Sequence, residues 1–260
     1  MLKITSADGT AIAYDRVGEG PVVVLVAGAF STRTDPVMTG LAQALASRFT
    51  AVSYDRRGRG DSGDTLPYAA RREIEDLRAL VEAFGERVMV FGGSSGGALA
   101  LEAAAAGVDI ARLAVFEPPY VTDPGRPPLP SHAELGALVE AGRRGEAVEL
   151  FMTKGADLPA ELVGGMKGQP FWASMEAAAH TLAYEAAVVG PGPVPSQRLA
   201  AVFAPTLVLA GAESTSRMLE AARAVAGALP DARLRVMEGQ AHGQLEPAVL
   251  ADALAGFFLV

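Results

Sequence analysis

A chain of 260 residues, half of them hydrophobic, can bury a complete core and fits one domain with room for an insertion. The sequence has no cysteine and three scattered histidines, which excludes disulfides and thiolate catalysis and predicts no metal site. Its formal net charge of -8 opposes binding to phosphate backbones and anionic membranes, so neither nucleic acid nor a membrane is expected as a partner.

The N-terminal residues predict a hairpin at the start of the fold. The first ten, MLKITSADGT, lack the basic start and apolar core of a signal peptide, and no apolar run in the chain is long enough to cross a membrane. We therefore expect a soluble cytoplasmic protein. Apolar stretches flank Asp8-Gly9, a dipeptide that suits a tight turn between two antiparallel strands.

Six short runs rich in valine and leucine follow, as expected of strands buried on both faces of a parallel sheet. They lie at residues 22–28, 50–56, 87–93, 112–118, 205–211 and 232–239. Helical patterns alternate with them, at about 36–47, 68–84, 95–106, 214–229 and 246–259. This alternation predicts an α/β fold in which helices flank a mostly parallel, eight-stranded sheet.

The series is interrupted between Glu117 and Ala204. This interval opens with EPPYVTDPGRPPLP and closes with GPGPVP, whose prolines and glycines break regular helices. Helical patterns lie between them, in SHAELGALVEAGRRG and FWASMEAAAHTLAYEAAVV. We therefore expect a helical insertion over the sheet at 126–199, after the sixth strand, and a core formed by 1–125 and 200–260.

The stretch VMVFGGSSGGALALEAAA, residues 88–105, passes from an apolar strand through glycines and serines into a small-residue helix. A serine on such a sharp turn exposes its oxygen as a nucleophile, and the turn requires small neighbours. Two alternatives meet this requirement, with Ser94 or Ser95 as nucleophile. We favour Ser94, because Gly92, Gly96 and Gly97 then lie around it. The backbone N–H of Ser95, at the start of the helix, is then directed at a developing oxyanion.

Three motifs in this order resemble those of the α/β-hydrolase fold family. Besides the serine turn, YDRRGRGDSG at 54–63 is similar to the turn that follows the preceding strand in that family, and MEGQAHG at 237–243 resembles its last strand and catalytic histidine. The resemblance covers nearly the whole chain. It implies a parallel-rich sheet, a helical lid between the sixth and seventh strands, and hydrolytic chemistry without a cofactor.

The resemblance also implies roles for individual residues. His242 occupies the position of the general base, in the family's chain order of serine, acid and histidine. The backbone N–H of Ala29 would be the second oxyanion donor, although Ala27-Gly28-Ala29 replaces the His-Gly-X whose histidine usually holds this loop in the family. In the turn at 54–63, which is structural in the family, we expect Arg56, Arg57 and Asp61 to form ion pairs with neighbouring loops.

Two carboxylates are candidates for the acid of the triad. The commonest family pattern has an aspartate shortly after the seventh strand, where this chain has Glu213. Glu117 closes the sixth strand, at the sheet edge where open α/β folds collect catalytic groups, and some branches of the family take their acid there. We favour Glu117, because a carboxylate held at a strand end can fix the His242 tautomer better than one on a serine-rich loop. Glu213 remains the alternative.

Apolar side chains predict the substrate pocket. The residues expected to contact a small-molecule substrate are Phe30, Trp172, Met175 and His180, and for His180 the alternative is a partly buried, hydrogen-bonded histidine. We expect a serine hydrolase of a small or medium apolar ester, thioester or lactone, acting through an acyl-serine intermediate. Alternatives are carbon–carbon bond hydrolysis or metabolite tailoring on the same triad, and a hydrolase-like binding protein with little turnover. The sequence carries no signal for an oligomeric state.

Overall fold

Eight strands form one sheet in the computed structural model, which describes residues 1–85 and 87–259. The strands are β1 (Leu2–Thr5), β2 (Ala11–Val17), β3 (Val22–Val26), β4 (Thr50–Tyr54), β5 (Met89–Gly93), β6 (Arg112–Phe116), β7 (Thr206–Gly211) and β8 (Ala232–Met237). Their order is β1-β2-β4-β3-β5-β6-β7-β8. The pairs β1–β2 and β2–β4 are antiparallel and the others are parallel. The predicted α/β fold and its opening hairpin are confirmed. Glu86 and Val260, in the predicted core segments, lie outside the described residues.

The central strands contribute alternate residues to two hydrophobic cores, one on each face of the sheet. In β3, Val24 and Val26 join one core, and Val23 and Leu25 join the other. All four side chains are fully buried. This is why the strand has a continuous apolar sequence and lacks the polar alternation of a half-exposed strand.

Helices cover both cores. They are α1 (Pro36–Leu45), α2 (Ala70–Phe84), α3 (Ser95–Ala105), α4 (His132–Glu140), α5 (Arg144–Leu150), α6 (Ala160–Met166), α7 (Trp172–Ala177), α8 (His180–Val189), α9 (Ser196–Leu199), α10 (Ser216–Ala228) and α11 (Pro247–Phe258), and a π-helical segment, Phe151–Gly155, follows α5. Helices α1 and α11 add Leu41 and Leu254 to the core that contains Leu25. Helices α2 and α3 add Leu77 and Leu99 to the other core.

The segment between β6 and β7, called the insertion below, carries α4 to α9 and a third hydrophobic cluster. The continuous helical pattern over 171–189 is divided into α7 and α8. Both halves bury side chains in the same cluster, including Trp172 and Leu182. Treating 126–199 as a separate lid unit stays a prediction.

Helix α3 begins very close to the sheet. A Cβ atom on Gly96 would lie 2.3 Å from the carbonyl oxygen of Val26 and 2.6 Å from that of Ala27. A Cβ on Gly92 would lie 2.4 Å from the carbonyl oxygen of Gly96. The two glycines therefore allow the first turn of α3 to pack directly against β3 and β5.

Two arginines of the turn after β4 are buried and paired with carboxylates. Arg56 donates to both carboxylate oxygens of Glu73 on α2, at 2.6 and 2.9 Å. Arg57 donates to both oxygens of Asp76, at 2.8 and 2.7 Å, and to Asp8 of the hairpin turn at 2.9 Å. These pairs attach the turn to α2 and to the β1–β2 hairpin.

Asp61, in the same turn, pairs with Arg33 of the loop after β3. The Arg33 guanidinium contacts Asp61 at 2.7 Å and also contacts the buried Asp55. The ion pairing with neighbouring loops expected from the sequence is therefore present at Arg57 and Asp61, whereas Arg56 pairs with carboxylates on helices α2 and α8.

The buried Arg56–Glu73 pair makes stability sensitive to acid. Burial alone would raise the pKa of the Glu73 carboxyl, but the charge and hydrogen bonds of Arg56 outweigh burial, and the pKa is lowered from 4.5. A lowered folded-state pKa stabilises the protein above the unfolded value, and that contribution is lost as the pH falls through the folded value.

We expect Gly96→Ala to destabilise the protein, because the added Cβ would meet backbone that cannot move aside. Such overpacking costs about 1–3 kcal/mol. Gly136→Ala in α4 is the matched control, since nothing lies within 4 Å of its added Cβ. Alanine there should stabilise the helix by about 0.5–1 kcal/mol. Urea denaturation measures both free energies of unfolding, and equal effects would contradict the close approach of α3.

We expect Glu73→Gln to lower the free energy of unfolding at pH 7 by about 3–5 kcal/mol, because it leaves the buried Arg56 and Arg59 to share the single Glu185 carboxylate. The difference from wild type should shrink as the pH falls below 4.5, where Glu73 of the unfolded wild-type chain is protonated. Glu75→Gln removes a carboxylate whose pair with Arg72 is only part-buried, and should change little at any pH. Urea titrations from pH 7 to pH 3 test this, and a constant difference for Glu73→Gln would contradict it.

Candidate active site

Ser94 lies on a sharp turn between the end of β5 and the start of α3. Its backbone has φ 54° and ψ -126°, a conformation that residues other than glycine rarely adopt. The neighbouring strand β6 holds it there, because the Ser94 N–H donates to the carbonyl oxygen of Phe116 at 2.8 Å. The side chain is half-buried. The turn thus presents the Ser94 hydroxyl at the carboxyl end of the sheet.

Ser95 has a different environment. It is buried and begins α3, and its hydroxyl has no hydrogen-bond partner among residues 1–85 and 87–259. Its side chain therefore points into the interior, whereas its backbone belongs to the positive end of the helix dipole. This geometry favours Ser94 over Ser95 as the exposed hydroxyl.

Glu117 and His242 are joined by a hydrogen bond. The distance from His242 Nδ1 to Glu117 Oε2 is 2.9 Å, and the other carboxylate oxygen accepts the N–H of Gly211 at 2.8 Å. The Glu117 side chain is fully buried, whereas 33% of the His242 side chain is exposed. The backbone N–H of His242 donates to the hydroxyl of Ser214 at 2.9 Å. The Glu117 carboxylate therefore holds the imidazole, and the loop after β7 holds the backbone of His242.

Glu213 lies elsewhere. Its backbone N–H donates to the carbonyl oxygen of Gln240 at 3.0 Å, which links the loop after β7 to the loop that carries His242. The residue itself is exposed. The structure thus brings Glu117 to the imidazole and leaves the Glu213 side chain at the surface.

The loop after β3 approaches the Ser94 turn. A Cβ on Gly28 would lie 3.1 Å from the carbonyl oxygen of Gly93 and 3.2 Å from Ser94 Cβ, tighter than most real contacts. Ala29, the expected oxyanion donor, is the next residue and is half-buried. A side chain at position 28 would therefore be tight against the serine turn, and the backbone of this loop lies beside the serine.

Two arginines hold the loop after β3, where Ala27 stands in place of the histidine that the resemblance led us to expect. Arg56 Nη1 donates to the carbonyl oxygen of Ala27 at 3.3 Å, and Arg59 Nη1 donates to that of Gly28 at 2.7 Å. Sequence reasoning missed the contact of Arg59, although Arg59 lies within the motif at 54–63 that it singled out. Its basic side chain next to two glycines was the available signal.

Two of the four residues expected to contact substrate lie at the edge of the third cluster. Phe30 and Met175 are both half-buried there, and the Phe30 ring meets that of Phe151 edge-on, with centroids 5.6 Å apart. These contacts bring the loop after β3 against the insertion. Contact of either residue with a substrate stays a prediction.

The other two residues expected to contact substrate, Trp172 and His180, make hydrogen bonds to other residues of the protein. Trp172 is buried and its Nε1 donates to Glu176 at 2.9 Å. His180 Nε2 lies 2.9 Å from the carbonyl oxygen of Gly58, which matches the alternative of a partly buried, hydrogen-bonded histidine. Both contacts stabilise the insertion and its attachment to the turn after β4.

No group of three or more histidine, cysteine, aspartate or glutamate side chains in residues 1–85 and 87–259 is arranged to hold a metal ion. Over the same residues, every helix is too short or too polar to span a membrane.

Known proteins resemble the chain in sequence and in fold. A crystal structure of an alpha/beta hydrolase from Sphaerobacter thermophilus is 49% identical, with a TM-score of 0.91 over 99% of this chain and 100% of that one. A hydrolase from Pseudomonas aeruginosa is 25% identical, with a TM-score of 0.75 over 99% and 97%. N-formylmaleamate deformylase from Pseudomonas putida is 35% identical over 133 residues, so the match spans about half of each protein, 48%.

The family is established by a match that covers most of the chain. The model of the alpha/beta hydrolase family matches residues 23–253, from the start of β3 into α11. The matched residues include the serine turn, the buried carboxylate at the end of β6 and the histidine after β8. By this match and by its sheet order, the chain belongs to the alpha/beta hydrolase family.

Proposed function

We propose that the protein is a serine hydrolase of carboxylic esters, with Ser94 as nucleophile, His242 as general base and Glu117 as the acid of the triad. Its substrate is a small or medium apolar ester, thioester or lactone. The observation that carries the proposal is the 2.9 Å hydrogen bond between His242 Nδ1 and the buried Glu117 carboxylate. Phe116, next to Glu117, also accepts the N–H of Ser94, so the acid and the serine turn are attached to the same strand end.

The hydrogen bond determines which proton His242 carries. A carboxylate accepts, so Nδ1 carries the proton and Nε2 is left free to accept one from the Ser94 hydroxyl. The Ser94 oxygen then attacks the substrate carbonyl carbon, and His242 passes the proton to the leaving group. Water, deprotonated by the same imidazole, cleaves the acyl-serine ester and releases the acid.

The oxyanion of each tetrahedral intermediate needs donors that are already in position. We assign the backbone N–H groups of Ala29 and Ser95 to this role. The close approach of Gly28 to Ser94 Cβ supports the first donor, and the place of Ser95 at the start of α3 supports the second. Neither donor depends on its side chain.

The half-buried Phe30 and Met175 support an apolar acyl or alcohol group in the substrate. A substrate panel of p-nitrophenyl esters of increasing chain length, with lactones and thioesters, measures this preference. The partial match to N-formylmaleamate deformylase adds N-formyl amides to the panel, because a formyl carbonyl can be attacked by the same serine.

We expect Ser94→Ala to abolish turnover and Ser95→Ala to retain much of it. Loss of a serine nucleophile costs about 10⁶-fold in kcat in a characterised protease. Replacing Ser95 removes a buried hydroxyl that has no partner among the described residues, and leaves the backbone N–H in place. Ester hydrolysis and intact mass after exposure to a fluorophosphonate probe measure both. A wild-type protein that forms no adduct would contradict the proposal and favour a binding protein.

We expect Glu117→Gln to lower kcat by about 10⁴-fold, because the amide can donate to Nδ1 and so stabilise the wrong tautomer of His242. Glu213→Gln is the matched control and should keep near-normal kcat, since its side chain is exposed. Circular dichroism verifies that both variants fold. Collapse of kcat in Glu213→Gln alone would assign the acid to that residue.

A further inference from the structure

Arg59 lies between the insertion and the loop that carries the proposed oxyanion donor. Its side chain is 3% exposed. One guanidinium nitrogen, Nη1, donates to the carbonyl oxygen of Gly28 at 2.7 Å, and the other, Nη2, contacts the Glu185 carboxylate on α8. The resemblance of the motif at 54–63 assigned no contact to Arg59, so neither of these contacts follows from it.

The carbonyl held by Arg59 belongs to the peptide group that contains the N–H of Ala29. A trans peptide is planar, and its C=O and N–H point in opposite directions. Fixing the direction of the Gly28 carbonyl therefore fixes the direction of the Ala29 N–H. A charged donor on the carbonyl also polarises the peptide group, which makes its N–H a stronger hydrogen-bond donor.

This peptide group needs to be held from outside. A side chain at position 28 would be tight against Ser94, and the glycine found there restrains its own backbone less than any other residue. Without a partner for the Gly28 carbonyl, the peptide could rotate and turn the Ala29 N–H away. Arg56 holds the preceding carbonyl, that of Ala27, at the longer distance of 3.3 Å.

Glu185 makes the burial of Arg59 possible. It is 1% exposed, and its two oxygens also accept from Arg56 Nη1, each at 3.1 Å. Glu73 pairs with the remaining nitrogens of Arg56 and accepts a hydrogen bond from the hydroxyl of Tyr68 at 2.8 Å. The group therefore contains two buried cations and two buried carboxylates, and removing one carboxylate leaves a guanidinium uncompensated.

We propose that Arg59 is a positioning residue for the oxyanion hole, and that Glu185 of the insertion keeps it in place. Arg59 acts by orienting the Ala29 N–H and touches no substrate atom. The insertion thus contributes to transition-state stabilisation through a charge pair, independently of any substrate contact. The inference rests on the proposed function, because it requires a tetrahedral intermediate formed on Ser94.

Arg59→Lys and Arg59→Gln test the positioning role, with p-nitrophenyl acetate as substrate. We expect kcat to fall about 10- to 100-fold with little change in KM, less than the 10²–10³-fold cost of losing a whole oxyanion donor. Arg57→Lys is the matched control. Arg57 is equally buried in the same turn but holds Asp76 and Asp8, so the change should lower Tm and leave kcat near wild type.

A boronic acid separates positioning from a general loss of structure. It forms a tetrahedral anion on the serine oxygen, so its Kd reports the oxyanion hole. In both Arg59 variants that fold, we expect its Kd to rise by the same factor as kcat/KM falls. Unchanged boronate affinity, or an equal loss of kcat in Arg57→Lys, would overturn the positioning role. If neither variant at Arg59 folds, the Kd of Glu185→Gln gives the same test.

A double-mutant cycle tests the part assigned to Glu185. If Glu185 acts on the site through Arg59, the losses of kcat in Arg59→Gln and Glu185→Gln should not add, and the double variant should be close to the worse single variant. Additive losses would overturn this coupling. A wild-type protein without ester turnover or serine labelling would instead refute the proposed function, so the two failures are distinguishable.

Discussion

The burial of Arg56 and Arg59 dictates where their partners must lie. A guanidinium taken out of water without a carboxylate costs several kcal/mol, so Glu73 and Glu185 must be in contact with the turn after β4 when the chain is folded. Glu73 belongs to α2 of the core and Glu185 to α8 of the insertion. The same pair of charges therefore attaches a core helix and an inserted helix to one turn, and that turn holds the loop beside Ser94.

Backbone strain is concentrated at the same site. Five residues other than glycine have positive φ in the described part of the chain, and three of them, Phe30, Ser94 and Glu117, belong to the candidate site. Such a conformation costs about 1–3 kcal/mol for a residue other than glycine. Neighbouring strands hold two of these residues, through Ser94 N–H to Phe116 and Glu117 N–H to Leu209. Ser94 and Glu117 directly follow strands β5 and β6, so the strained backbone lies where the candidate site needs their side chains.

Local sequence patterns predicted those features that are formed by neighbouring residues in the chain. The serine turn and the histidine after the last strand are marked by short motifs, and the strands by apolar runs. The choice between Glu117 and Glu213 could only be ranked, because it depends on how β6 and β7 lie side by side, with Phe116 opposite Leu209.

The contacts of Arg59 also depend on tertiary structure and could not be predicted from a local pattern. Gly28 and Glu185 lie 31 and 126 residues away from it. The break between α7 and α8 was missed because the sequence pattern of residues 171–189 is helical throughout.

The hydrogen bond between Glu117 and His242 spans 125 residues of sequence, including the whole insertion. Closing so long a loop costs chain entropy, and the pairing of β7 with β6 and of β8 with β7, which brings His242 to the sheet edge, offsets that cost in the folded chain. The serine turn, by contrast, depends on β5, α3 and the end of β6, which follow one another directly in the sequence. A partly folded chain can therefore contain the serine turn without His242 beside it, so the proposed hydrolytic activity would report that the last strands have docked, whereas the presence of the serine turn would not.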